Sequence, residues 1–366
     1  MAERMKVSRV TLRDIAERVG ITPSAVSMAL ADNSRIGVDT KKAVQAAAKE
    51  LGYVPSSAAR ALRNQRAGTI ALIVPTTATH VFGHSYFMLV LDGTSSVANE
   101  HDVQLLVSTN PDNEHGLAAY ERVMRSHSAD GAILTSAAID DPTVERLIDS
   151  GLPVVMIGSF PYLPTAITVG IDDRRASRAI TEHLITAHGR TRLLHFSGPL
   201  DHQTGVDRRD GFLDAVRAHG LENDAFIVEG DLSEASGAEA VRGLGGRIAG
   251  FDSIVAANDD MALGALTTLR AASIDVPGDL SIVGFDDFGV ARVTTPSLTT
   301  VRVPAQQLAR VATERLFELM AGNDGGWRRH ELDVHLVLRQ SCGCQSLASA
   351  EADAVVLSVA SLREPA

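Results

Sequence analysis

This 366-residue sequence predicts two architectures in series: an all-α N-terminal module, then a two-lobed α/β body of doubly wound parallel sheets. Three observations carry that prediction. Between Thr11 and Leu51 apolar residues recur at helical spacing, interrupted at Gly20. From Thr69 the pattern changes to short unbroken apolar runs alternating with helix-like stretches, as strands buried on both faces require. Charge splits along the chain in the same way. Residues 1–67 hold 12 Lys and Arg against 6 Asp and Glu, a net of +6. Of the chain's 34 basic and 45 acidic residues this leaves 22 and 39, a net of −17. A basic head on an acidic body fits a chain whose head alone meets phosphate.

The N-terminal module reads as three helices. Thr11 can cap the first, with Asp14 near the capping-box position, and Leu12, Ile15, Ala16 and Val19 form its apolar stripe. Gly20 stops it, and Thr22-Pro23 starts the next, a hydroxyl cap followed by proline at the first helical position. In that second helix, Pro23 to Leu30, Val26 and Leu30 point inward while Ser24 and Met28 face out. A third helix, from about Val38 to Leu51, closes the core with Val44, Ala47, Ala48 and Leu51. Two helices joined by a tight glycine turn and backed by a third follow the helix-turn-helix plan. A small bundle that merely packs would show the same periodicity.

In the body, strand-like runs occur at Ile70–Pro75, Val103–Val107, Asp130–Leu134, Leu152–Ile157, Leu193–Phe196, Ser253–Ala256 and Leu280–Phe285. They are too many for one comfortable sheet, so two lobes facing a cleft are expected. Ligands of open α/β sheets bind beyond the carboxyl ends of the strands, which marks Thr76, Gly158, Asn258-Asp259 and Asp286-Asp287. Each acidic or amide pair could instead cap the helix that follows it.

The segments Val10–Ala16, Gly20–Ser27, Glu50–Pro55 and Ser56–Arg63 occur in order and with the right spacing. In them the chain resembles the lactose-repressor-type (LacI/GalR) regulators, and the resemblance continues to Cys342. It implies a helix-turn-helix headpiece over residues 1–54, a hinge helix and linker over 55–67, a periplasmic-binding-protein-like body over 68–345 and a tail over 346–366. It implies further that Pro23, Ser24 and Met28 face base edges of double-stranded DNA, with Thr11, Leu12, Ser27 and Arg35 close to the duplex. Met28 offers only apolar contact where many relatives place Arg or His. Ser57 lies in the implied hinge helix, and Leu62 stands where the family wedges the central minor-groove step. A hinge of about eight residues is too short to be a stable helix alone. A homodimer on a pseudo-palindromic operator follows.

For the body, the resemblance makes Arg208 the anchor of a small-molecule effector, Asp286 its acidic partner across the cleft, and Asn258 an amide contact. Tyr86 and Phe87 would close the pocket, and the chain would cross between lobes near Val169, near Thr299 and around Gly322 to Arg328. Gly158 stands where many sugar-binding relatives carry Asp, and Leu232 where an aromatic often stacks, so a sugar is expected on family grounds alone. The function implied is repression controlled allosterically by the effector.

Other chemistries lack their residues. Gly243–Gly246 has neither the preceding strand nor the Lys-Ser/Thr of a phosphate loop, and no Gly-x-Ser-x-Gly elbow occurs. The chain therefore reads as no enzyme, with no cofactor. His80 and His84 read as solvated loop histidines, and Cys342-Gly343-Cys344 fits no zinc-finger spacing, so no metal is expected. Residues 1–10 lack the apolar core of a signal peptide, no apolar run is long enough to span a membrane, and two cysteines make no disulfide scaffold. A cytoplasmic protein is expected. The apolar residues Val355–Leu357 of the tail suggest a short oligomerisation helix or an unstructured end.

Overall fold

The computed structural model describes residues 10–53, 67–112, 117–126, 128–344 and 356–358. The chain divides into two compact units, residues 1–67 and 68–366.

In the first unit α1 (Leu12–Val19), α2 (Pro23–Leu30) and α3 (Val38–Leu51) surround a core of Ile15, Val26, Ala29, Val44 and Ala47. The helix ends follow from local chemistry. The Asp14 carboxylate accepts from both the backbone N–H and the hydroxyl of Thr11, 2.7 and 2.9 Å away. Gly20 leaves α1 in the left-handed region at φ 76°. The Thr22 hydroxyl accepts from the Ala25 N–H at 3.2 Å, with Pro23 opening α2. The ion pairs Arg18–Glu50 and Lys41–Asp32 tie the helices at the surface.

The second unit contains two parallel sheets. The first lobe's sheet runs, in spatial order, β11 (Arg329–Glu331), β5 (Thr168–Gly170), β4 (Val154–Ile157), β3 (Gly131–Thr135), β1 (Thr69–Thr77) and β2 (Gln104–Asn110). The second lobe's runs β7 (Phe226–Glu229), β6 (Leu193–Ser197), β8 (Ser253–Ala256) and β9 (Ser281–Val283). Every pairing within these two sheets is parallel. Alternation along β1 explains its unbroken apolar run. Ile70, Leu72 and Val74 join one core cluster while Ala71 and Ile73 join another on the opposite face, because helices cover both.

Three features differ from the sequence reading. First, the chain returns to the first lobe through the helix Ala305–Met320 and stays there through β11, which pairs with β5, so the third crossing falls at 332–334 rather than 322–328. Gly322–Gly326 is the turn between that helix and β11, and the polar residues of β11 carry no strand signature. Second, a small antiparallel sheet of β10 (Thr300–Arg302), β12 (His335–Val337) and β13 (Val356–Ser358) was not anticipated. Third, β13 shows that residues 356–358 of the tail are extended and pair with the body, not helical. Backbone pairing with His335–Val337, absent from any local periodicity, decides that segment.

Candidate functional site

The headpiece residues singled out above lie at the start of α1, along α2 and in the loop that follows it. Thr11, Pro23, Ser24 and Arg35 are exposed, while Leu12, Ser27 and Met28 are half-buried. Leu12 also packs on the helical core. Ser57 and Leu62 lie outside the described residues.

In the body, a cavity of about 230 Å³ lies between the two lobes. Thr76, Tyr86, Phe87, Arg208, Asn258 and Asp286 all line it, together with Gly158 and Leu232. Both sheets bring it about. In each, strand order reverses between two neighbours, β1 and β3 in one lobe and β6 and β8 in the other. The cavity opens beyond their carboxyl ends, at Thr76, Thr135, Pro199 and Asn258.

Arg208 is the electrostatic centre. It projects from the helix Gln203–Ala218 and is buried. Its Nε donates to Asp173 Oδ1 at 2.7 Å, and Nη1 donates to the Ala257 carbonyl at 2.7 Å and to Asp286 Oδ1 at 3.3 Å. The guanidinium stacks over Phe285, 3.7 Å from the ring centre. Its Nη2 makes no hydrogen bond among the described residues. Burial opposes the charge of Arg208, yet Asp173 and Asp286 outweigh it and hold the group above its ordinary pKa.

The two acids respond differently from surface carboxylates. Burial pushes Asp286 up to about 7, with Arg208 opposing and Asp173 reinforcing the shift. Burial likewise raises Asp173 against the pull of Arg208. Asp286 sits at φ 116°, a conformation costly to any residue with a Cβ. Its neighbour holds it there: the fully buried Asp287 carboxylate accepts from Arg302 Nε at 2.8 Å and Arg339 Nη2 at 2.6 Å. Neither Asp286 nor Asp287 caps the short helix Val290–Val293, whose cap is Gly289, so that alternative is not what the structure shows. Asn258 does cap: its Oδ1 accepts from Met261 N at 2.9 Å, while its Nδ2 donates to the Leu232 carbonyl at 2.8 Å. Its amide thus shapes the wall at Leu232, which adopts φ 68°.

On the facing lobe, Tyr86 Oη lies 3.0 Å from Thr135 Oγ1, and burial pushes its phenol up to about 12. Phe87 meets Tyr86 edge-on. His84 is not a solvated loop histidine. Its Nδ1 accepts from Tyr86 N at 3.3 Å, capping the helix Ser85–Glu100, and its Nε2 lies 3.2 Å from Asp260 of the opposite lobe.

Sequence reasoning missed Asp173 and Phe160, both cavity-lining. Asp173 lies three residues past β5, a three-residue strand that carries no periodicity, so the strand-end rule had nothing to act on there. Phe160 explains the glycine at 158: Gly158 has φ 127°, and a Cβ there would meet the Phe160 ring at 3.3 Å. The aromatic wall is supplied by Phe160 in place of a side chain at 158.

Residues 11–56 match the family described as bacterial regulatory proteins, lacI family, and residues 181–342 match the periplasmic binding protein-like domain. The chain is 33% identical over 338 residues to the HTH-type transcriptional regulator CelR of Thermobifida fusca, covering 91% of this chain and 98% of that protein. The chain belongs to the lacI family. Another LacI-family relative, the HTH-type transcriptional regulator AscG of Escherichia coli K12, is 30% identical over 319 residues, 86% of this chain and 93% of that one. Among solved structures, a CelR–cellobiose complex covers 91% of this chain and all of its own at 30% identity, with a TM-score of 0.69. A lac repressor dimer bound to operator and the anti-inducer ONPF, 24% identical with a TM-score of 0.80 over 92% of this chain, shares the fold. The chain is accordingly a helix-turn-helix transcriptional regulator and not an enzyme. Among the described residues no helix is long and apolar enough to cross a membrane.

Proposed function

We propose that this LacI-family chain is a cytoplasmic homodimeric repressor whose grip on a pseudo-palindromic operator is set by a small neutral polyol, a sugar, bound between the lobes. The observation that carries the ligand class is the Arg208 cluster. Its Nε and Nη1 are already engaged by Asp173, Ala257 and Asp286, and burial disfavours charge on both carboxylates. An anion would add negative charge beside two acids. Hydroxyl groups can donate to those acids and accept from Nη2, while Tyr86, Phe87 and Phe160 supply apolar faces. The CelR–cellobiose complex supports this class.

The ligand would touch both lobes, so it binds one lobe arrangement better than another and shifts their balance. In the headpiece, Pro23, Ser24 and Met28 meet base edges, with Thr11, Leu12, Ser27 and Arg35 beside them and Ser57 and Leu62 in the hinge. With so few hydrogen-bonding side chains on that face, operator deformability carries much of the specificity. The test is a gel shift on the chain's own promoter region with and without mono- and disaccharides found by thermal shift. A sugar that stabilises the wild type and changes operator affinity, with both effects lost in Arg208→Ala, is the expected result. A response that survives Arg208→Ala, or that only organic acids elicit, would overturn the proposal.

A further inference from the structure

Away from the cavity, two distant segments bring four metal-ligating side chains together. His183 and His188 occupy the last turns of the helix Asp173–His188, and Cys342 and Cys344 follow β12 at a tight turn. Their ligand atoms all lie within 4.8 Å of one another. The two Nε2 atoms are 3.3 Å apart, and Cys344 Sγ is 3.5 Å from His183 Nε2 and 3.4 Å from His188 Nε2.

The three distances among His183, His188 and Cys344 are those of a coordination sphere, and Cys342 lies within reach as the fourth ligand. Zinc bound at about 2.3 Å to sulfur and about 2.0–2.1 Å to nitrogen, at tetrahedral angles, sets N···N near about 3.3 Å and S···N near about 3.6 Å. Three atoms at the corners of a nearly equilateral triangle are poorly served by hydrogen bonds, which bend badly there. A cation at their common centre serves all of them.

The surroundings are built for the same purpose. Thr299 Oγ1 lies 3.0 Å from Cys342 Sγ and 3.1 Å from the Arg339 carbonyl, so its one hydrogen can turn to the sulfur and give a metal-bound thiolate outer-shell support. Gly343 adopts φ 105°, and a Cβ there would meet His188 Nδ1 at 3.2 Å, so glycine between the cysteines lets the chain turn against the helix. Two thiolates and two neutral imidazoles would balance the two charges of the ion, and four protein ligands close the sphere as in structural sites. Local spacing could not reveal this arrangement, because 161 residues separate Cys344 from His183.

We propose that His183, His188, Cys342 and Cys344 form a structural Cys2His2 zinc site that clips the end of β12's segment to the C-terminal end of the helix Asp173–His188. The test uses untagged full-length protein, kept reduced, stripped with a chelator and titrated with zinc alone, then with cobalt(II) as an optical probe. The expected result is one equivalent per chain and the intense visible bands of tetrahedral cobalt with a sulfur-to-metal charge-transfer band. Cys344→Ser and His188→Gln should each weaken binding by more than about 100-fold, beyond what loss of an outer-shell partner costs. In the wild type, zinc should protect Cys344 from alkylation, a readout that needs no variant. Absence of uptake, a weak octahedral cobalt spectrum, undiminished binding by Cys344→Ser, or alkylation unaffected by zinc would each overturn the site.

Discussion

Asp286→Asn separates the stability cost of the cavity from its use. In the folded chain burial pushes Asp286 up to about 7, against an ordinary value of 3.8. A carboxyl whose pKa is raised on folding contributes stability that is fully present below its unfolded value and is lost as pH rises through the folded one. The window is therefore about pH 4 to 7, and stability falls upward through it. About three units at 1.36 kcal/mol each give an upper bound of about 4 kcal/mol for Asp286 alone. Asparagine keeps the shape and an acceptor for Arg208 Nη1 but does not titrate. Urea unfolding of both proteins between pH 4.5 and 8 should show a variant more stable than wild type near pH 8 by a few kcal/mol, with the gap closing toward pH 4.5. Asp207, also raised by burial, contributes a slope common to both proteins, whereas Asp259, which Asp286 helps to raise after burial, titrates less steeply in the variant and widens the gap in the same direction. Parallel curves for the two proteins would refute the assignment of this cost to Asp286.

Other expectations follow from the same geometry. Thr22→Ala removes the acceptor of the Ala25 N–H and should destabilise the headpiece by about 1 kcal/mol, measured by melting of a fragment or by lost operator affinity. Gly158→Asp places a Cβ at φ 127° against Phe160, so it should abolish sugar-induced thermal stabilisation while leaving operator binding intact. If the +6 headpieces of a dimer neutralise about 6–10 phosphates, operator affinity should fall with a log–log salt slope of about −5 to −9; a slope near zero would contradict phosphate contact.

The legible part of this molecule is what local chemistry decides. The headpiece helices could be read because caps at Thr11 and Thr22, a stop at Gly20 and a 3.6-residue stripe all lie within a few residues of one another. The long strands were legible because helices bury both of their faces. The short strands β5, β10, β11 and β12 were not, since three residues hold no periodicity and pairing across the fold decides them. In the cavity, Arg208 and Asp286 were reached through resemblance, and the strand-end rule marked Thr76, Asn258 and Asp286. What escaped was relational: Asp173 as the main partner of Arg208, Phe160 standing in for a side chain at Gly158, and His84 reaching Asp260.

The late return of the chain to the first lobe bears on how the protein is made. Leu308, Ala312 and Leu316 of the helix Ala305–Met320 complete the core that Ile70, Leu72 and Ile133 begin, and Arg310 fastens that helix to Ser96 at 2.6 Å. Between Gly170 and Ala305 the ribosome must build nearly all of the second lobe. At about 5–20 residues per second that interval is on the order of 10 s. Through it the first lobe's sheet stands with one apolar face covered only in part, by the helix Ser85–Glu100, and its edge strand β11 unsynthesised. The headpiece, complete within one short segment, can fold as soon as it emerges. Translation thus produces the helix-turn-helix unit well before the body is complete, and the half-built body in between is where chaperone dependence and aggregation should concentrate.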